Sequence, residues 1–126
     1  MNNCIVIVDD EPHIRILLEE TLEELEDQGI EIYLAGNGEQ ALEMIRLHYP
    51  RLVFLDVMMP ILNGYDVCEQ VRADQTLQGI EIIMLTAKGQ EIDRQRGLLA
   101  GANDYITKPF DPDAVLARAK TLFEVA

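Results

Sequence analysis

Residues Cys4-Ile-Val-Ile-Val8 form an unbroken apolar run, mostly β-branched, that stops abruptly at Asp9-Asp10. A run of that kind belongs in a strand buried on both faces, which requires a sheet covered by helices on each side. The next segment supplies such a cover. Ile14, Leu17, Leu18, Leu22 and Leu25 recur at helical spacing, with Glu19, Glu20, Glu23, Glu24, Glu26 and Asp27 mostly between them, and Gly29 closes the helix. The same alternation then repeats along the chain. Strands are expected from Ile30 to Ala35, from Leu52 to Leu55, from Ile80 to Leu85 and briefly around Tyr105-Ile106. Helices are expected after Asn37 through about His48, from Tyr65 to Arg72, from about Glu91 to Ala100, and from about Pro112 to Phe123 with Asp111 as N-cap. Pro50 and the Pro60 to Gly64 stretch punctuate the series. Five strand-helix units call for a doubly wound α/β domain, a five-stranded parallel sheet with five helices on both faces and right-handed crossovers.

Size and composition agree with one domain over residues 1–126, since 48% hydrophobic residues can build a core without disulfides or a structural metal. Cys4 and Cys68 each stand alone in an apolar stretch, which speaks against a disulfide framework or a zinc site and for a reducing, cytoplasmic compartment. Apolar runs are only a few residues long, so neither a signal peptide nor a membrane span is expected. The net charge of −13 would repel phosphate backbones. Nucleic acid is therefore a poor direct partner, and any DNA output would need another domain.

In an open parallel sheet, ligands bind beyond the carboxyl ends of the strands. The first strand ends in Asp9-Asp10-Glu11, the third in Asp56, the fourth in Thr86 and the fifth in Lys108. Taken singly, each has a plain explanation. An Asp-Asp pair after a strand is more often a turn or an N-cap, Thr86 reads as a cap or strand residue, and Lys108 reads as a surface lysine. Asp56 is harder to explain away, because it directly continues the buried strand Leu52-Val53-Phe54-Leu55 and needs a partner for its carboxylate. Convergence of all four segments on one sheet edge is the argument for a site. Three neighbouring carboxylates ionise together at neutral pH only if a cation joins them. Mg²⁺ (or Mn²⁺) suits such hard oxygen ligands and prefers one or two carboxylates together with a phosphate oxygen. A carboxylate can attack phosphorus to give an acyl phosphate, with the metal, Lys108 and Thr86 neutralising the charge.

Val8-Asp9-Asp10-Glu11, Asp56-Val-Met-Met-Pro60 followed by Asn63-Gly64, Thr86-Ala87, and Lys108-Pro109-Phe110 occur in that order. Together they resemble the receiver domain of two-component response regulators, the chemotaxis regulator among them, over the whole chain. The resemblance implies the flavodoxin-like strand order 2-1-3-4-5. It implies that Asp56 accepts phosphate from a phosphohistidine on a sensor histidine kinase or phosphotransfer protein. Asp10, Asp56 and the Met58 backbone carbonyl would hold Mg²⁺, with Asp9 helping through metal-bound water. Thr86 and Lys108 would bind phosphoryl oxygens, and Tyr105 would be the aromatic switch. The face of the fourth helix, fifth strand and fifth helix would then change for a downstream partner, an effector domain or a phosphorylation-dependent homodimer. A cis Lys108-Pro109 bond is also implied.

Other readings stand beside these. Tyr105 also reads as a half-buried core aromatic, the acidic first helix as a solvated face, His13 and His48 as surface residues, and Cys68 as core packing. Aspartate-nucleophile phosphatases resemble a D-x-D pattern, but Met58 fills the slot of their general acid. A receiver degenerated to an interaction module should lack at least one of Asp10, Asp56, Thr86 and Lys108. Met58 and Lys88, two residues past the aspartate and the threonine, are expected to shield the site from water and lengthen the phosphoryl lifetime. The Met1 start and a last helix that looks complete favour a stand-alone regulator over a receiver cut from a longer chain.

Overall fold

The computed structural model describes residues 1–87 and 91–124. In chain order it contains β1 (Asn2–Val8), α1 (Pro12–Thr21), α2 (Glu23–Glu26), β2 (Glu31–Ala35), α3 (Gly38–His48), β3 (Pro50–Asp56), α4 (Gly64–Ala73), a 3₁₀ turn (Gln75–Leu77), β4 (Glu81–Ala87), α5 (Glu91–Ala100), β5 (Asp104–Lys108) and α6 (Pro112–Phe123). All neighbouring strands are parallel, and their order is β2-β1-β3-β4-β5. The doubly wound reading and the implied strand order are both met.

The helix count differs from the expected five because the first helix breaks at Leu22, leaving α1 and the single turn α2. The cause lies in the acidic run that crosses the break. Glu19 and Glu23, and Glu20 and Glu24, are like-charge pairs four residues apart, which weaken a helix. Leu22 and Leu25 stay fully buried, so the apolar stripe keeps both pieces against the sheet.

Side-chain alternation along the strands builds two cores. Val6, Val8, Val53, Leu55 and Met84 pack with Leu42 and Ile45 of α3 and Val67, Cys68 and Val71 of α4. Ile5, Ile7, Leu52, Phe54, Ile83 and Leu85 pack with Leu18, Leu22, Leu25 and with Val115 and Ala119 of α6. Each large buried side chain contributes about 1.5–3 kcal/mol, so the two layers hold the strand ends in fixed relation. Cys4 and Cys68 are both buried free thiols. No helix among the described residues is long and apolar enough to cross a membrane.

Caps end the elements close to where the sequence places them. Asn37 accepts from the Gln40 N–H, and Asp111 accepts from the Asp113 N–H with Pro112 in the first turn of α6. Asn63 and Asp66 form a reciprocal capping box at the start of α4. That box closes the loop after β3 so tightly that a Cβ on Gly64 would lie 2.4 Å from the Asp56 carbonyl oxygen. Lys108-Pro109 is cis. His48 is partly exposed and has a packing partner on another element. Its ring stacks on Tyr33 with centroids 3.6 Å apart, because β2 is an edge strand and the end of α3 covers its aromatic residue. His13 is exposed beside Glu11 at 3.4 Å.

Candidate functional site

Strand register levels the four polar strand ends. Val8 pairs with Leu55, Asp56 with Leu85, Thr86 with Thr107 and Ala87 with Lys108. Asp9 and Asp10 leave β1, Asp56 ends β3, Thr86 sits at the end of β4 and Lys108 ends β5. Because β3 lies between β1 and β4, the Asp56 carboxylate receives neighbours from both sides.

Asp9 is fully buried, and every polar atom it has is engaged. Its N–H donates to Ala35 O at 3.1 Å, and its carbonyl accepts from Arg15 Nη1 at 2.6 Å. Its Oδ1 accepts from the Glu11 N–H at 3.0 Å and its Oδ2 from Lys108 Nζ at 2.8 Å. Lys108 Nζ also donates to Asp56 Oδ1 at 3.1 Å, so one ammonium bridges two buried carboxylates. Burial pushes the Asp56 carboxyl up to about 7, and Asp9 adds to this while Lys108 opposes it. Burial on its own lowers the Lys108 ammonium, but its bonds and attraction to Asp9 and Asp56 outweigh that and leave it raised.

Carboxylate oxygens of Asp9, Asp10 and Asp56 lie within 4.8 Å of one another. Two of these residues are buried and Asp10 is exposed, which gives the cluster an open side. Hard anionic oxygens, crowded beyond what one ammonium neutralises, are a donor set that fits a divalent cation. The Thr86 hydroxyl supplies a second sign of a missing partner. Only 1% of Thr86 is exposed, and its Oγ1 has no hydrogen-bond partner among the described residues. A buried hydroxyl left unmet costs free energy, and an anionic oxygen placed beside it would remove that cost.

The alternation that builds the two cores also sorts the site. Asp56 continues the phase of Phe54, Asp9 that of Ile7, and Lys108 that of Ile106, all on the α1 and α6 side. Thr86 continues the phase of Met84, on the α3, α4 and α5 side. Tyr105 is half-buried against that same layer and stands opposite Met84 in the ladder. Met58 is 71% exposed at the mouth of the loop after Asp56. Lys88 lies outside the described residues.

A model of the response regulator receiver domain matches residues 5–120 of the chain. The chain belongs to the response regulator receiver family. This receiver is 47% identical over 122 residues to "Probable transcriptional regulator ycf27" of Porphyra purpurea, a match covering 97% of this chain and 48% of that protein. It is 44% identical over 122 residues to the alkaline phosphatase synthesis transcriptional regulatory protein PhoP of Bacillus subtilis strain 168, covering 97% of this chain and 49% of that one. The chain thus spans about half the length of the curated relatives it matches. The solved structure of the BeF3-activated DrrB receiver domain superposes with a TM-score of 0.85 at 33% identity, over 98% of this chain and 99% of that one.

Sequence reasoning placed Asp9, Asp10, Asp56 and Lys108 in one cluster, and the structure joins them. It passed over Arg15, whose guanidinium reaches the Asp9 carbonyl. A signal was present, since Arg15 is the sole cation between Met1 and Arg46 in a strongly acidic stretch and sits one turn into α1.

Proposed function

We propose that this receiver takes a phosphoryl group onto Asp56 from the phosphohistidine of a sensor kinase or phosphotransfer protein and switches its output face in response. The observation that carries the reading is the Lys108 ammonium bridging Asp9 and Asp56 at one sheet edge, beside the unmet Thr86 hydroxyl. In the transfer, an oxygen of the Asp56 carboxylate forms a bond to phosphorus as the histidine nitrogen–phosphorus bond breaks. The bonding pair stays with the imidazole, and the product is an acyl phosphate. Asp10, Asp56 and the Met58 carbonyl would hold Mg²⁺ or Mn²⁺, with Asp9 acting through a bound water, and the metal would offset the charge on the phosphoryl oxygens. Asp9 has both carboxylate oxygens already engaged, which favours that indirect role for it.

Lys108 then exchanges one carboxylate contact for a phosphoryl oxygen, and Thr86 gains the acceptor it lacks. Movement of Thr86 frees space on the α3–α5 side of the sheet, and Tyr105 follows it inward. The face of α5, β5 and α6, the counterpart of the fourth helix, fifth strand and fifth helix read in the sequence, changes for a downstream partner, an effector domain or a second copy. The relatives named as transcriptional regulators make control of transcription the reading for that output, with contact to DNA left to the partner or effector. Residues 1–126 act in this reading as one cytoplasmic phosphoacceptor unit. It catalyses its own phosphorylation and loses phosphate slowly, because no general acid or base stands by the phosphoryl group among the described residues.

Intact mass after incubation with a small-molecule phosphodonor and Mg²⁺ tests the reading. A single phosphoryl adduct is expected that requires the metal and is absent in Asp56→Asn. A folded chain that forms no adduct would leave the interaction-module reading in its place. In a kinase-free decay assay, Met58→Asn should shorten the lifetime several-fold by opening the site to water. An unchanged decay would remove Met58 from lifetime control.

A further inference from the structure

Asp10 and Asp56 are brought together by two different means. Asp56 ends a strand locked between two others, whereas Asp10 is exposed on the turn between β1 and α1 and shares that turn with Asp9. Crowding of three carboxylates drives the most movable of them outward, and that one is Asp10. Its direction is set by the peptide that joins it to Asp9. The carbonyl of this peptide accepts a charge-assisted hydrogen bond from Arg15 Nη1 at 2.6 Å. Arg15 in turn rests on the bare backbone of Gly36, where a Cβ would come within 3.1 Å of Nη1 and 3.6 Å of Cζ. Gly36 is itself pinned, its N–H donating to Gln40 Oε1 at 2.9 Å. The guanidinium therefore ties the turn that carries Asp10 to the loop between β2 and α3, using a contact surface that a Cβ on Gly36 would tighten enough to shift the guanidinium by a few tenths of an ångström.

We propose that Arg15 is a positioning residue for the acidic cluster: through the Asp9 carbonyl it holds the Asp9-Asp10 peptide so that the Asp10 carboxylate faces Asp56, ready for a divalent cation. Gly36 is the seat that keeps the guanidinium in place. The inference rests on the metal reading of the site given above. It separates two quantities that a general structural role would not. Among the described residues Arg15 hydrogen-bonds the Asp9 carbonyl and not Asp56, Lys108 or Thr86, so metal affinity should fall while phosphoryl transfer at saturating metal does not.

Mg²⁺ titration of the full chain by calorimetry tests this. Arg15→Met is expected to weaken Mg²⁺ about tenfold, a size typical of residues that orient metal ligands. Arg15→Lys should recover part of the loss, because an ammonium can make one bond to the carbonyl but cannot span to Gly36. Gly36→Ala, with Arg15 intact, should weaken Mg²⁺ in the same direction, and the double variant should be no worse than Arg15→Met alone. The phosphorylation rate from a small phosphodonor at saturating Mg²⁺ should stay within about twofold of wild type in all of them. Unchanged Mg²⁺ affinity in both Arg15→Met and Gly36→Ala overturns the inference, as does a loss of thermal stability with affinity intact. Should Arg15→Met fail to fold, Gly36→Ala decides alone. A wild-type chain that binds no Mg²⁺ removes the metal reading and this inference together, whereas a wild type that binds and variants that bind equally well remove only the inference.

Discussion

Asp56 answers to two opposing demands. In its proposed roles of metal ligand and nucleophile it must be ionised, yet burial and Asp9 raise its pKa to about 7. A raised carboxyl holds more protons in the folded chain than in the unfolded one between its ordinary value and about 7, so this residue's contribution to stability declines as pH rises through that window. Cation binding at the proposed site must expel that proton. Mg²⁺ affinity should therefore weaken about tenfold as pH is lowered from about 8 to about 6, and Asp56→Asn should flatten that profile; calorimetric titration at the two pH values checks both. Thr86 permits a separate prediction. Thr86→Val keeps the shape and removes the unmet hydroxyl, so the chain without phosphate should gain about 1 kcal/mol in denaturant unfolding. A loss of similar size would mean that the hydroxyl is bonded before any phosphate arrives.

At the scale of elements, the α5–β5 connection depends on a clamp from α4. Arg72 donates from Nε to Gly101 O at 2.8 Å, from Nη2 to Asn103 Oδ1 at 2.7 Å and from Nη1 to Gln78 O at 3.2 Å. Asn103 Oδ1 also accepts from the Ile82 N–H at 2.8 Å, which fixes the start of β5 to β4. Gly101 has φ 110°, and a Cβ there would lie 2.4 Å from Arg72 Cγ. Gly101→Ala should therefore cost about 2 kcal/mol or more in thermal or urea unfolding, through backbone strain and the displaced arginine together. The elements themselves were legible in the sequence, because runs such as Cys4–Val8 and the heptad-like Leu18, Leu22, Leu25 spacing report burial directly. The split of the first helix was not, since it turns on repulsion among glutamates that a hydrophobic pattern ignores. The stack of His48 on Tyr33 was not legible for a related reason. Tyr33 lies on another element, and only the packed fold brings the two rings together.

At the scale of the whole molecule, a net charge of −13 is carried against itself. Glu26 shows the strain locally, where slight burial first and then Glu19, Glu23 and Asp27 raise its carboxyl. Raising NaCl from about 20 mM to about 300 mM cuts the screening length from roughly 20 Å to 6 Å, so Tm should rise by about 3–6 °C. A Tm that falls over that range would place the net electrostatic effect in ion pairs such as Lys120–Glu24 and Arg118–Asp104 instead. The site was largely legible at this scale, because strand ends in a parallel sheet converge by topology and Asp9, Asp56, Thr86 and Lys108 could be placed without coordinates. Arg15 was not, as its importance lies in a main-chain carbonyl that carries no letter in the sequence.

The phase of side chains along the strands has a consequence for divergence within such a fold. Asp9, Asp56 and Lys108 share one side of the sheet, while Thr86 and Tyr105 share the other with α3, α4 and α5. In the proposed function, the reacting carboxylates and the Thr86–Tyr105 switch pair thus lie on opposite sides of a sheet a single residue thick. The proposed output face straddles both sides, through α5 on one and α6 on the other, so its exposed residues can be recruited to new clients or worn smooth by drift while the buried reacting groups stay as they are. A chimera that grafts foreign α5 and α6 surfaces onto this chain would then inherit a new audience while it keeps the same voice.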